Sequence, residues 1–211
     1  MWNAFWAVAT LLAVLAAAPA GEREAPDGQI DLDANSVLVY RNQARDQSSR
    51  FIVRLARFKP DIVLEWENLN DQGTVHLYRK AVAEGQQFTV SGLFEVGVEM
   101  ESEDEMTLWM PEEAFRQLSE KGSVKIKRSN LPFQIKRSGR TNISLTLNGR
   151  EVEVPALQAK DSRGGEWLVL DDLSNPLLLA YETRYFKQRL EIINTEDRRP
   201  LRWIKNPPPI K

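Results

Sequence analysis

Ile143-Ser144-Leu145-Thr146-Leu147-Asn148-Gly149-Arg150-Glu151-Val152-Glu153-Val154 decides the fold class. Ile143, Leu145 and Leu147 fall at every second position, so in an extended chain they share one face and leave Ser144 and Thr146 on the other. Asn148-Gly149 then supplies two residues that tolerate positive φ, as a two-residue hairpin turn requires. Val152 and Val154 return on the far side, and Pro155 predicts the end of that strand. The segment reads as an antiparallel hairpin with one face buried.

Working outward, the same alternation recurs. Before the hairpin, Val124 and Ile126 oppose Lys125 and Lys127. After it come strand candidates at Leu157–Lys160, Trp167–Leu170, Leu177–Thr183 and Leu190–Ile193, with Gly164-Gly165 and Tyr185–Lys187 as turns. Upstream, strands are predicted at Ser36–Tyr40, Arg50–Phe58, Asp61–Asn68, Thr74–Val82, Phe88–Val90, Leu93–Met100 and Met106–Met110. Asn70-Asp71-Gln72-Gly73 and Glu84-Gly85 punctuate them. One segment breaks the pattern: proline and two acids at Pro111-Glu112-Glu113, an apolar stripe of Ala114, Phe115 and Leu118, and Lys121-Gly122 at the end predict a short helix. The expected fold is mainly β, an antiparallel curved sheet, sandwich or open barrel of about ten to twelve strands with one helix near 111–121.

The 211 residues, 42% hydrophobic and 27% charged, suit one globular domain, placed at 36–197. The first twenty residues differ in kind. Ala4 to Ala18 carries no charge and leads to Ala18-Pro19-Ala20, an apolar run and a small-x-small site that predict a signal peptide cleaved after Ala20. Met1-Trp2-Asn3 lacks the usual basic residue. Residues 21–35 read as a flexible leader, and 198–211, with Pro207-Pro208-Pro209, as an extended tail. The expected location is therefore periplasmic or secreted, with membrane contact at most peripheral after cleavage. The chain has no cysteine, which excludes disulfides, thiol chemistry and lipidation at cysteine.

Catalytic signatures are missing. His76 is the only histidine, and Val75 and Leu77 flank it as in an ordinary sheet. There is no G-x-S-x-G, S-x-x-K, Walker loop or G-x-G-x-x-G. Glu65 and Glu67 share a strand face at a glycosidase-like spacing, but the same alternation sends Trp66 to the opposite face. Asp31, Asp33 and Asn35 imitate the start of a calcium loop, yet Ser36 and Asn42 stand where glycine and glutamate are needed. Glu101 to Glu105 reads as a charged hairpin tip. No cofactor, metal site or catalytic residue is predicted.

Charge is more informative. The net −2 divides into −10 over residues 21–120 and +8 over residues 121–211. Lys125, Lys127, Arg128, Lys136, Arg137 and Arg140 fall close together beside Leu131-Pro132-Phe133, and paired strands would gather them into a contact for an anionic partner. The consecutive apolar residues at 168–170 and 177–179 predict strands buried on both faces. They make Leu168, Leu170, Leu177 and Leu179 candidates for an apolar surface or cavity.

Val154-Pro155-Ala156-Leu157, followed by Leu170-Asp171-Asp172 and Asn175-Pro176-Leu177-Leu178-Leu179, resembles a group of uncharacterised exported bacterial β-sheet proteins with a V-P-A-L and L-D-D-x-x-N-P-L-L-L segment. The resemblance covers about residues 143–195 and implies an exported β-sheet protein; it brings no catalytic residues with it. Independently of it, Asn175-Pro176 reads as a turn between two strands. The expected function is non-enzymatic binding of an envelope protein or an anionic, amphiphilic ligand such as lipid, and not of nucleic acid. The alternatives are a hydrolase acting on cell-wall or sugar material and a structural subunit of an envelope assembly.

Overall fold

The computed structural model describes residues 29–69, 71–96 and 99–196. The expected signal peptide, the first part of the leader and the Pro-rich tail lie outside the described residues, as do Asn70 of the predicted turn and Gly97 and Val98 of the predicted strand Leu93–Met100. The elements are β1 (Val37–Ala44), β2 (Gln47–Arg57), β3 (Ile62–Glu67), β4 (Gln72–Leu77), α1 (Arg79–Glu84), β5 (Gln87–Phe88), β6 (Glu99–Ser102), β7 (Glu105–Met106), α2 (Glu112–Lys121), β8 (Ser123–Arg128), β9 (Leu131–Leu147), β10 (Arg150–Asp161), β11 (Glu166–Leu170), β12 (Leu178–Glu182) and β13 (Phe186–Asn194).

The thirteen strands make one large, mainly antiparallel sheet in the order β6-β4-β3-β2-β1-β13-β12-β11-β10-β9-β8-β5-β7. It is an open sheet and not a closed barrel. Two features bend it. Ile192 and Ile193 of β13 pair in parallel with Thr146 and Leu147, so the ladders from β9 to β13 return to β9. The end strands β6 and β7 are separated in the chain only by Glu103-Asp104. A single core cluster extends from Ile30 to Ile193.

The deciding hairpin forms as its alternation requires. Asn148 and Gly149 have φ of 50° and 81°, and Leu147 faces Arg150. Pro155, however, does not end the strand; β10 continues to Asp161. The Pro155 carbonyl accepts from the Asp171 N–H just past β11. A strand residue's N–H points to the same side as its carbonyl, so the missing donor falls where that ladder has already stopped. The helix predicted near 111–121 is α2, closed by Gly122 at φ 76° with its N–H on the Leu118 carbonyl.

Other boundaries differ from expectation. Thr74–Val82 is not one strand: β4 ends at Leu77 and α1 follows, burying Ala81 and Val82. Residues 93–96 are not in a strand. Within Met106–Met110 only Met106 joins β7, because Leu108 turns the chain with φ 58° and Trp109 bridges to Leu177. The leader does not run free to residue 35: Ile30 is buried, and its carbonyl accepts from Asn175 Nδ2. Trp66 lies over Gly73 on the neighbouring strand, where an added Cβ would stand 2.8 Å from its Nε1.

Glu105 begins β7 at one end of the sheet. Burial, and then the adjacent Asp104, pushes its carboxyl above the usual glutamate range. The folded state thus holds the proton more tightly than the unfolded chain, so this residue's contribution is favourable in acid and is lost as pH rises through the folded value. Glu105→Gln is expected to stabilise the protein at neutral pH by up to about 0.5 kcal/mol, with the difference vanishing in acid. Urea midpoints measured in both conditions check the sign.

Candidate anion-binding surfaces

The six cations singled out between residues 125 and 140 do not form one site. Strand alternation in β8 turns Val124 and Ile126 inward and Lys125 and Lys127 outward. Lys125 stands opposite Gln134, Lys127 opposite Pro132, and Lys136 opposite Ser123 on one side and Lys160 on the other. Lys125, Lys127 and Lys136 are exposed and make no ion pair among the described residues. Lys160, by contrast, holds Glu166 at 2.6 Å.

Arg137 and Arg140 serve α2 instead. Arg137 Nη1 donates to the Ser119 carbonyl, and Arg140 Nη2 reaches Ser119 Oγ at 3.3 Å. Arg140 Nε also bonds Asp171 Oδ2 at 2.5 Å. Guanidinium groups beside the last turn of a helix satisfy its free carbonyls and its negative pole. These two positions are tied to the fold.

Arg128 follows the inward register. Its guanidinium lies 5.6 Å from the Phe133 ring centre and 5.2 Å from that of Tyr181, with Nη1 donating to the Tyr181 hydroxyl at 3.0 Å. Trp167 packs edge-on against Tyr181 behind it. No carboxylate pairs with Arg128 among the described residues, and its Nη2 is buried without a partner. The aromatic faces take the place of a counter-ion.

A second basic feature is not legible in the sequence. In the sheet, Arg41 stands directly opposite Arg50 on one side and Arg189 on the other. Three guanidinium stems thus stand side by side on the outer face of β2, β1 and β13. Like charges facing one another across a ladder are unfavourable. They border a groove of about 350 Å³ whose other wall is Ser144, Thr146 and Glu151. The groove opens where β13 leaves β12 for β9. Glu191, the extra residue of the β13 bulge, sits 2.6 Å from Arg41 Nε, while Arg189 is exposed and makes no ion pair among the described residues. The signal was absent from the chain because residues 41, 50 and 189 meet only through register.

The apolar candidates separate as well. Leu170, Leu177 and Leu179 are at most 1% exposed and belong to the core. Leu168 alone reaches a groove, of about 430 Å³, which it shares with Gln158 and Ala180. His76 lies against Tyr78 with Nε2 3.5 Å from Asp61 Oδ2. Glu65 is paired with Arg54, while Trp66 is buried on the opposite face. Asp33 is engaged with the Ser36 hydroxyl. Among the described residues, no cluster of acids and histidine is grouped to hold a metal. Comparison with protein-family models, with curated proteins and with solved structures finds no match for this chain.

Proposed function

We propose that this protein is a non-catalytic binding protein of the cell envelope that docks on an anionic surface through Lys125, Lys127 and Lys136. The observation that carries this reading is the exposure of these three lysines on neighbouring strands without carboxylate partners among the described residues. Arg137 is held by the Ser119 carbonyl of α2 and Arg140 by Asp171, which leaves the lysines as the unpaired cations of this group among the described residues. The acid pair at Glu65 and Glu67 lends no weight to a hydrolase, since Glu65 is held by Arg54 and Trp66 faces away.

Each lysine near an anionic headgroup surface contributes about 1 kcal/mol. Reversing all three to glutamate should therefore weaken association with phosphatidylglycerol vesicles by roughly a hundredfold or more. Vesicle flotation at low salt checks this, with neutral phosphatidylcholine vesicles as control. Wild-type protein should float with the anionic vesicles and be released as salt screens the contact. A wild-type chain that stays with neither vesicle would overturn the reading.

A further inference from the structure

We propose a separate binding site on the outer face of β13, β1 and β2, in which the row Arg189–Arg41–Arg50 holds a phosphate group. Direct cross-strand neighbours carry Cβ atoms about 5 Å apart, so the three long side chains border one groove and are within reach of an oxyanion seated over Arg41. Arginine presents planar donor forks that match phosphate, and it keeps its charge at any physiological pH. The groove of about 350 Å³ in front of the row leaves space for such a group, and Ser144 and Thr146 put hydroxyl-bearing side chains on the opposite wall.

At its Arg189 end the row has no counter-charge among the described residues. Glu191 engages Arg41 through Nε, at the side of the guanidinium. Glu151 stands on the far wall, and its partner across the ladder is Thr146. Arg189 is exposed, is flanked by Ala180 on β12, and has no carboxylate among the described residues. A dianion seated between Arg189 and Arg41 relieves the repulsion that the register imposes.

The row also has a direction. Beyond Arg189 the same register continues through Ala180 and Leu168 to Gln158, an uncharged strip of the neighbouring groove of about 430 Å³, whose lining also includes Glu182 and the paired Lys160 and Glu166. A phosphate ester with a short apolar tail fits this order, with its head on the arginines and its tail over Ala180 and Leu168. The phosphate is the shared chemistry. Whether its source is the free ion or an alkyl ester is decided by the tail.

The test is titration calorimetry of the full folded chain with inorganic phosphate and with hexyl phosphate. Saturable binding of either probe, weakened at least tenfold in Arg189→Gln, is the expected result. Arg189 is exposed, so this variant should retain the wild-type unfolding midpoint, and Arg41→Lys gives an independent second reading. Tighter binding of hexyl phosphate, lost in Leu168→Ser, assigns an alkyl ester; equal binding of the two probes assigns the ion itself. Absence of saturable binding, or binding unchanged in both arginine variants, overturns the proposal. The lysine reversal at 125, 127 and 136 should leave this binding intact, so failure of the vesicle contact and failure of this site are distinguishable.

Discussion

Asp161→Ala is expected to lower stability by about 3–4 kcal/mol, among the largest losses for a single residue in this fold. Asp161 is 8% exposed at the end of β10, where its carboxylate organises the turn into β11. Oδ1 accepts from the backbone N–H of Arg163 at 2.8 Å and of Gly165 at 2.9 Å, and Oδ2 accepts from Trp167 Nε1 at 2.9 Å. Removing the acceptor leaves a buried indole N–H and a buried amide unpaired, and such orphaned donors cost about 1–3 kcal/mol each. The turn has no spare room to rearrange: a Cβ on Gly165 would stand 2.3 Å from Asp161 Oδ2 and under 3 Å from Tyr181. Asp161→Asn should recover roughly half the loss, because one amide oxygen can still take both backbone donors while its NH₂ meets Trp167 Nε1 donor to donor. Guanidinium unfolding followed by tryptophan fluorescence checks the series. Equal midpoints for wild type and Asp161→Ala would show that this hydrogen-bond hub contributes nothing.

Asn175→Leu should cost about 2–4 kcal/mol despite its similar volume. Asn175 is 4% exposed and ties together three distant parts of the chain. Its Oδ1 accepts from Trp109 Nε1 at 2.9 Å, and its Nδ2 donates to the Ile30 carbonyl at 3.3 Å. Around it, the Leu108 carbonyl takes the Leu178 N–H and the Pro176 carbonyl takes the Met110 N–H. Leucine would strand the indole donor and the Ile30 carbonyl in the core. The expected signature is double: a lower denaturation midpoint and faster hydrogen exchange of the Trp109 indole proton. An indole proton as protected in the variant as in wild type would refute the assignment.

The L-D-D-x-x-N-P-L-L-L segment shows what was legible in the chain. Its consecutive leucines predicted strands covered on both faces, and Leu177, Leu178 and Leu179 are buried because residues 106–110 cross over them. Asp171-Asp172 does end one strand and Asn175-Pro176 does precede its antiparallel neighbour. Period-two alternation and turn chemistry are local, so the central hairpin and α2 could be read directly. α1 was missed because Val75 and Leu77 extend the alternation to the helix's first turn, and six residues are too few to display a period of 3.6. The 17-residue β9 was missed in its first half because Pro132, Gly139 and a run of cations hide its pattern.

The candidate surfaces were legible in part for the same reason. Lys125, Lys127 and Lys136 come from one hairpin, so nearness in sequence became nearness in space. Arg128 shares their spacing in the chain, but one step of register puts it among Phe133 and Tyr181. The arginine row depends on pairing between the two extremes of the domain, which no window along the chain contains.

That pairing sets when the molecule can finish folding. β1 lies between β2 and β13, with Val37 opposite Asn194, so a chain made from its N-terminus exposes one whole edge of β1 until the final strand exists. The Tyr40 hydroxyl, whose burial holds it neutral, likewise waits for the Leu178 carbonyl, 138 residues further on. The entropy of closing so long a loop grows only with the logarithm of its length, but the search falls on the rate. The early hairpins can form as they appear; the domain locks only when its last strand slides in beside its first. Until β13 is in place, β1 therefore keeps one edge unpaired, and the late strand acts as the closing piece of the sheet.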